Sequence, residues 1–451
     1  MTQKVRTIYL FNVDGLRLKH RLRSSILLFS LTIFAFLQFL QPKPVAAQDD
    51  ILCPDFTAAD QQQIYDKVDF GESIIFHFCW HNMPEIEKAS IEIEIENFDE
   101  PRKGEAIAPT DAGAGDLINL NHELNLAQTL ILPFSNIRYT WTLHYKTGET
   151  EAFPTQSIEY TDNRVEWQTF TLGNDTSESI QVHSETQHRA IAEIALSTIN
   201  RLLPEIKEVI LTDNSLANQD IDVYLYPDNE TFQSALRLTG LDWVAGKASP
   251  EIGVIMVPIT SGMDETLAQT NLEQRLPHEL SHLLVYRATG DGYHNLPSWF
   301  DEGLAASFEV VPNPNYAASL QNVTDATQLI PFSEMCINLP VQPTEMALRG
   351  YAQSYALVQY IFKTYGTEGI QQIIGAAAAG SECNDVVAAG LNDVTQDQLI
   401  QNWLTTIQPD LIQFDSPIFA GIIIILAMFL LMSIILWKRT YGTRTFSEFN
   451  G

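Results

Sequence analysis

The sequence predicts an α+β fold in which an all-β domain precedes a mixed domain and an apolar helix follows both. In the first third of the chain, apolar and polar residues alternate strictly, as over 89–96, which is the period of half-buried strands. After about residue 170, strand-like segments give way to helical apolar spacing, the order typical of α+β proteins. A chain of 451 residues exceeds one ordinary core, so we expect two folded domains.

The N-terminal domain, residues 48–167, has the sequence pattern of a β-sandwich. Strand-like segments cover 73–80, 89–96 and 137–145, and a hairpin turn is expected at 146–149. Short strands at this spacing are typical of an immunoglobulin-like sandwich. The domain carries no catalytic constellation, so we interpret it as a spacer or interaction module.

The second domain, residues 168–406, is predicted to begin with strands separated by helices. The strand-like segments are 179–183, 221–226 and 253–258. Apolar spacing predicts a helix over 189–203, and Asp228 is placed to cap a further helix that runs to about Leu238. Helices are expected to fill the rest of the domain.

The N-terminal 47 residues are typical of a secretory signal. Basic residues at 19–23 precede an apolar run over 26–40, and small residues then lead to a cleavage position after Ala47. The alternative is an uncleaved anchor helix. In both cases the chain that follows is expected outside the membrane.

A second apolar segment, 418–437, predicts a transmembrane helix. At about 1.5 Å per residue it spans about 30 Å, which matches a bilayer core. Basic residues follow it at once, and such residues favour the cytoplasmic side. We therefore expect a linker over 407–417, a single span, and a cytoplasmic tail over 438–451 in the cell membrane, although a buried core helix is the alternative interpretation of the apolar run.

The charge balance argues against one class of partner. The formal net charge is −30, with 26 Lys and Arg against 56 Asp and Glu. Nucleic-acid binding needs clustered basic residues, so nucleic acid is not expected as a partner.

The four cysteines favour disulfides in an exported protein. Near-neighbour pairing, Cys53 with Cys79 and Cys336 with Cys383, would close one loop in each domain and is the preferred arrangement among the three possible pairings. Free buried thiols are the alternative. No CxxC spacing is present, which disfavours a cysteine zinc site.

The strongest chemical signal is the segment His278-Glu279-Leu280-Ser281-His282. Residues four apart lie on one face of a helix, so both imidazoles can reach one ion. Glu279 can then address a water at that ion. A pair of ordinary surface or core histidines is the alternative interpretation.

A later carboxylate completes the pattern. Glu302 follows His282 by 20 positions, in the segment 297–306, and a glycine-containing loop separates the two. Two histidines and one glutamate leave a fourth position for water, which is the arrangement of a catalytic zinc ion.

These two motifs resemble those of the gluzincin metallopeptidases, in particular the peptidase-MA-like branch, over roughly residues 170–400. The resemblance implies a zincin-like domain that binds Zn²⁺ through His278, His282 and Glu302. It also implies that Glu279 is the general base in the hydrolysis of peptide bonds.

Looser likenesses suggest further roles. The segment 351–358 is similar to the family helix that carries a tyrosine facing the zinc, which implies that Tyr351 steadies the oxyanion, with Tyr355 as the second choice. The strand 253–258 resembles the family's edge strand, which pairs with substrate backbone. The exopeptidase signature of the related aminopeptidases is missing, so amino-terminal trimming is not inferred.

Two residues near the motif raise separate expectations. Pro277 directly precedes His278, and proline disrupts helix interiors, so the metal helix is expected to begin or kink there. Glu309 is a candidate acceptor for the outer nitrogen of a ligand histidine, and a solvated surface acid is the alternative.

The sequence therefore predicts a membrane-anchored zinc metallopeptidase that acts on peptides or proteins outside the membrane. A hypothesis of a different class is a catalytically inactive zinc-binding adhesion or scaffold protein that binds through its β-domain. The presence of Glu279 beside a complete set of ligands favours the enzyme.

Overall fold

The computed structural model describes most of both predicted domains. The described residues are 53, 62–81, 84–98, 100–106, 117–127, 129–171, 180–212, 220–237, 244–260, 262, 264–321, 323 and 326–407. The predicted signal segment 1–47, most of the linker 407–417, the apolar segment 418–437 and the tail 438–451 lie outside them. Within the described ranges, no helix has both the length and the apolar character needed to cross a membrane.

The N-terminal domain consists of antiparallel strands in two sheets. The strands are β1 (Gln62–Asp69), β2 (Ser73–His81), β3 (Ile86–Ile95), β4 (Arg102–Ala106), β5 (Leu117–Asn125), β6 (Asn136–Tyr145), β7 (Thr150–Ala152) and β8 (Gln156–Glu159). One sheet has the order β1-β2-β5, and the other has the order β4-β3-β6-β7, with β8 also paired to β6. The three predicted strand segments, 73–80, 89–96 and 137–145, are therefore present as β2, β3 and β6.

Alternation in β3 shows why these residues form a sheet. Ile91, Ile93 and Ile95 are buried, while Glu92 and Glu94 between them are exposed. Side chains of a strand point to opposite faces in turn, so one face of β3 enters the apolar core and the other meets solvent.

The preferred cysteine pairing is confirmed in both domains. Cys53 is bonded to Cys79 of β2, and Cys336 is bonded to Cys383. Each disulfide closes a loop within one predicted domain. This arrangement suits a chain that folds in an oxidising compartment.

The second domain contains a mixed sheet covered by helices. Its strands are β9 (Gln168–Thr171), β10 (Ile180–Ser184), β11 (Ile221–Tyr226), β12 (Lys247–Ser249) and β13 (Val254–Pro258). Its helices are α1 (Arg189–Ile210), α2 (Asn229–Ala235), α3 (Glu265–Thr289), α4 (Ser298–Phe308), α5 (Asn315–Leu320), α6 (Thr344–Ala378), α7 (Val386–Gly390) and α8 (Gln396–Ile407). Asp228 caps α2, as expected, through a 2.7 Å bond from the Thr231 N–H to its Oδ1.

The strand order corrects one prediction. The sheet runs β12-β13-β11-β10-β9, so the predicted edge strand β13 has neighbours on both sides. The edge next to β13 is β12, a segment of three residues that pairs antiparallel with it. So short a segment shows no apolar period, which is why the sequence pattern pointed to β13 instead.

The helix that carries the histidine motif begins earlier than predicted. Asp264 caps α3 by accepting the Leu267 N–H at 2.8 Å, and the helix then runs unbroken from Glu265 to Thr289. Pro277 lies in its interior. The expectation that the helix begins near Pro277 is therefore wrong, and the alternative of a kink at Pro277 stays a prediction.

Candidate metal centre

The two histidines of the motif lie on one face of α3. His278 and His282 are one turn apart, and their ring centroids are 5.1 Å from each other. Another face of the helix is apolar, and its Leu276, Leu280 and Leu284 are fully buried in the core. This burial fixes the helix rotation, so both imidazoles point toward the same space.

Helix α4 brings the third predicted ligand to that space. Glu302 Oε2 lies 3.3 Å from His278 Nε2 and 3.7 Å from His282 Nε2. Trp299 and Phe300, in the first turn of α4, are fully buried and anchor its start. The structure thus brings together the three residues that the motifs singled out.

The outer nitrogens of both histidines have carboxylate partners. His278 Nδ1 is 3.0 Å from Glu309 Oε1, and His282 Nδ1 is 2.9 Å from Asp301 Oδ2. Ionised carboxylates only accept hydrogen bonds, so each Nδ1 donates, and in the neutral imidazole each Nε2 then has a lone pair for a metal ion. Tyr293 also donates to Asp301 Oδ2, at 2.7 Å.

Of these outer partners, sequence reasoning identified only Glu309 as a candidate. Asp301 lies within the segment 297–306, in which the sequence indicated a role for Glu302 alone, and Tyr293 lies in the 3₁₀ segment Gly290–Asn295 between the two helices. The one available signal for Asp301 was its position beside Glu302. The fold of the intervening loop decides where Tyr293 lies.

The donor set fits a zinc ion. One ligand atom from each of His278, His282 and Glu302 lies within 4.8 Å of the others. Glu302 Oε2 is buried, and no donor among the described residues makes a hydrogen bond of good geometry to it. Two imidazole nitrogens and a carboxylate oxygen are ligands that zinc accepts in catalytic sites.

The electrostatics of the three residues are strongly coupled. Burial by itself would raise the pKa of Glu302, but the two imidazoles outweigh it and lower that pKa to about 2. Burial would lower the pKa of His278, but Glu302 and Glu309 outweigh it and raise that pKa. The carboxylates of Glu302 and Glu309 therefore favour a positive charge in the space beside the two histidines.

Glu279 faces the same space from the α3 side. It is 8% exposed, and its Oε2 accepts the Ala248 N–H of β12 at 2.8 Å. Gly246, just before β12, passes so close that a Cβ there would lie 2.5 Å from Glu279 Oε1. The segment leading into β12 therefore covers Glu279 directly.

A cavity of about 320 Å³ adjoins these groups. Its walls include His278, Glu279, Arg275, Tyr316 and Tyr351. Arg275 donates to the Pro258 carbonyl at 3.1 Å, and burial lowers its pKa. A cavity of this size beside the histidines can accept a short stretch of substrate.

The two candidate tyrosines differ in position. Tyr351 of α6 lines the cavity, and burial together with the negative charge of Glu302 raises its pKa well above the usual value. Tyr355 is one turn further on and packs on Tyr316, with ring centroids 5.5 Å apart. Tyr316, which sequence reasoning missed, lines the cavity as well.

Comparison with known proteins supports a peptidase domain. Residues 206–408 match the family model described as the Peptidase MA superfamily, a region that includes the whole site. No curated protein matches the chain. A solved polysaccharide deacetylase from Bacillus cereus matches at 9% identity, with 40% of this chain and 56% of that chain covered and a TM-score of 0.19, which implies nothing about the fold or activity of this chain.

Proposed function

We propose that the chain is a zinc-dependent metallopeptidase that hydrolyses peptide bonds on the outer side of a membrane. The observation that carries the proposal is the meeting of His278, His282 and Glu302, with Glu279 and a cavity beside them. The similarity to the Peptidase MA superfamily supports the reaction class.

The proposed mechanism assigns a task to each group. When bound, zinc would lower the pKa of a coordinated water toward about 7 and polarise the scissile carbonyl. His278, His282 and Glu302 hold the ion, and Glu309 and Asp301 keep the two imidazoles oriented. Glu279 takes a proton from water and delivers it to the leaving amine. The Ala248 N–H fixes one carboxylate oxygen of Glu279 and leaves the other for this proton.

Tyr351 is the proposed oxyanion donor. Its position in the cavity wall next to Glu302 supports this role over Tyr355. A phenol whose pKa is raised stays protonated at neutral pH, so it can donate a hydrogen bond to the developing oxyanion.

The test compares zinc content with hydrolysis of a denatured protein substrate. We expect wild-type protein to bind one zinc ion and to cleave. Glu279→Gln should retain zinc and lose roughly 100-fold or more of the turnover rate, the size of a general-base contribution. Glu265→Gln, in the exposed first turn of the same helix, is the matched control and should leave both properties unchanged. Unaltered hydrolysis by Glu279→Gln would exclude the mechanism.

The scaffold hypothesis predicts a different result in the same experiment. A zinc-binding adhesion protein would retain one zinc ion and cleave none of the substrates. Glu279→Gln would then match the wild type in every assay.

Export and anchoring are part of the proposal. The signal-like segment 1–47 and the apolar segment 418–437 support a single-pass topology with the peptidase outside, and the two disulfides agree with an oxidising compartment. A membrane-impermeant reagent applied to intact cells should label the region before 418 and leave the tail 438–451 unlabelled. The reverse pattern would exclude this topology.

A further inference from the structure

Pro277 leaves one backbone acceptor of α3 without its usual donor. In an α-helix the N–H of residue 277 would bond to the carbonyl of residue 273, but proline has no N–H. The Glu273 carbonyl instead accepts the N–H of Val310, at 3.1 Å. Val310 lies two residues beyond the end of α4, so this bond ties the segment after α4 to the metal helix.

Glu309, the residue before Val310, is the hydrogen-bond partner of His278, one of the proposed metal ligands. Glu309 is 8% exposed, and it accepts His278 Nδ1 at 3.0 Å and Gln274 Nε2 at 3.3 Å. The three α3 residues that contact the 309–310 segment, Glu273, Gln274 and His278, are within five positions of one another. The backbone bond at Val310 therefore sets where the Glu309 carboxylate lies relative to His278.

We infer that Pro277 is a positioning residue for the metal site: by lacking an N–H, it frees the Glu273 carbonyl to hold Val310 and so places Glu309 against His278. This inference rests on the proposed zinc site. It identifies a role for a proline that helix propensity alone would disfavour.

An ordinary tolerated proline is the competing explanation, and the chain offers a direct comparison. Pro204 lies in the interior of α1, on its exposed side and on an element that carries no residue of the site. Replacing each proline by alanine restores one helical N–H. Among the residues that the structure describes, a donor from another element occupies the carbonyl at Pro277 and none occupies the corresponding carbonyl at Pro204.

The test measures zinc affinity of the full-length protein in detergent, by competition with a chelator of known affinity. We expect Pro277→Ala to raise the zinc dissociation constant about 10-fold, and Glu309→Gln to raise it by roughly 10- to 100-fold, as for other outer partners of ligand histidines. Pro204→Ala should leave it unchanged. The thermal midpoint of Pro277→Ala should not fall, because alanine favours the helix.

A double-mutant cycle separates positioning from general damage. If Pro277 acts through Glu309, the double variant should bind zinc no more weakly than Glu309→Gln alone, because coupled residues are not additive. The Co²⁺-substituted protein gives a second readout, since its visible absorption bands should shift in Pro277→Ala and not in Pro204→Ala.

Val310→Pro removes the N–H that donates to the Glu273 carbonyl and leaves the sequence of α3 unchanged. It replaces Pro277→Ala in the test if that variant does not fold. The Glu309 ψ of 123° suits a residue before proline. We expect the same loss of zinc affinity as in Pro277→Ala, whereas Val310→Ala, which keeps the N–H, should bind normally.

The outcomes are distinct. Wild-type affinity in both Pro277→Ala and Val310→Pro, or additive effects in the cycle, would overturn the inference and leave the proposed function standing. Failure of the wild-type protein to bind zinc would overturn the proposed function itself.

Discussion

Gly246 determines how closely the backbone can approach Glu279. Any side chain there would meet the carboxylate, since an added Cβ would lie 2.5 Å from Glu279 Oε1. The Ala248 N–H then holds Glu279 Oε2 from the same segment. The orientation of the proposed base therefore depends on a residue 33 positions away that no motif includes.

We expect Gly246→Ala to reduce the turnover rate about 100-fold while zinc binding stays normal, because a base displaced by about 1 Å loses its alignment. Peptide hydrolysis and zinc affinity should be measured on the same sample. Gly375→Ala is the control, because a Cβ at Gly375 of α6 meets no described atom within 4 Å. Equal losses of zinc and activity would show that the substitution disturbs the site as a whole.

For single residues, the sequence predicted those that lie close together in a recognisable motif. His278 and His282 share a helix face by periodicity, and Glu302 follows in a recognisable segment. Gly246 and Tyr293 act through contacts between segments that only the folded chain brings together, so no spacing rule identifies them. For Asp301 the sequence offered only its position beside Glu302.

Asp301 is expected to matter for metal affinity although it is not a proposed ligand. Asp301→Asn should weaken zinc binding by roughly 10- to 100-fold, because the amide can no longer accept from both His282 and Tyr293 as a charged group. Chelator competition measures the effect, with the exposed Asp291→Asn as control. An unchanged affinity would remove Asp301 from the site.

Among the elements, the contact between α4 and α6 positions the third ligand. Gly303 follows Glu302 and packs against the α6 backbone, where an added Cβ would lie 2.4 Å from the Ser354 carbonyl oxygen. Val358 closes the same contact. A glycine after Glu302 therefore lets the two helices approach closely enough for Tyr351 to reach Glu302.

Gly303→Ala should force α4 and α6 apart. We expect a loss of about 1–3 kcal/mol in the free energy of unfolding, the usual cost of overpacking, together with weaker zinc binding. Denaturant unfolding and chelator competition measure the two effects. Wild-type stability would mean that the contact relaxes without cost.

Element prediction succeeded where a pattern was long and failed where it was short. The alternation of β3 and β6 spans many residues and fixes both strands. The three residues of β12 have no period, and its role as the edge comes only from pairing with β13. At α3, the cap at Asp264 was available in the sequence, but the presence of Pro277 suggested a later start.

Across the whole molecule, the second sheet is shared by two cores. Ile221, Val223 and Leu225 of β11 pack with the helices, whereas Tyr224 and Tyr226 pack with residues of the β-domain. Phe134 stacks on Tyr224 with ring centroids 3.4 Å apart. The division at residues 167 and 168, inferred from the change in apolar pattern, therefore runs along a continuous apolar contact.

We expect the two domains to unfold together. A chain that lacks residues 48–167 would expose an apolar face that includes Tyr224, Tyr226 and Met256, and it should aggregate or bind a hydrophobic dye. Calorimetry of the full-length protein should show one transition for the ectodomain. Two separate transitions, with a soluble truncated chain, would contradict this.

The Cys336–Cys383 bond has a further consequence for the wall of the cavity. It joins the segments on either side of α6, and α6 supplies Tyr351 to one wall of the cavity. Val244, Ala245 and Gly246 line the cavity as well, and Gly246 lies directly against Glu279. The bond therefore limits how far the segments before and after α6 can separate, and we expect its reduction to loosen the part of the wall that Tyr351 forms.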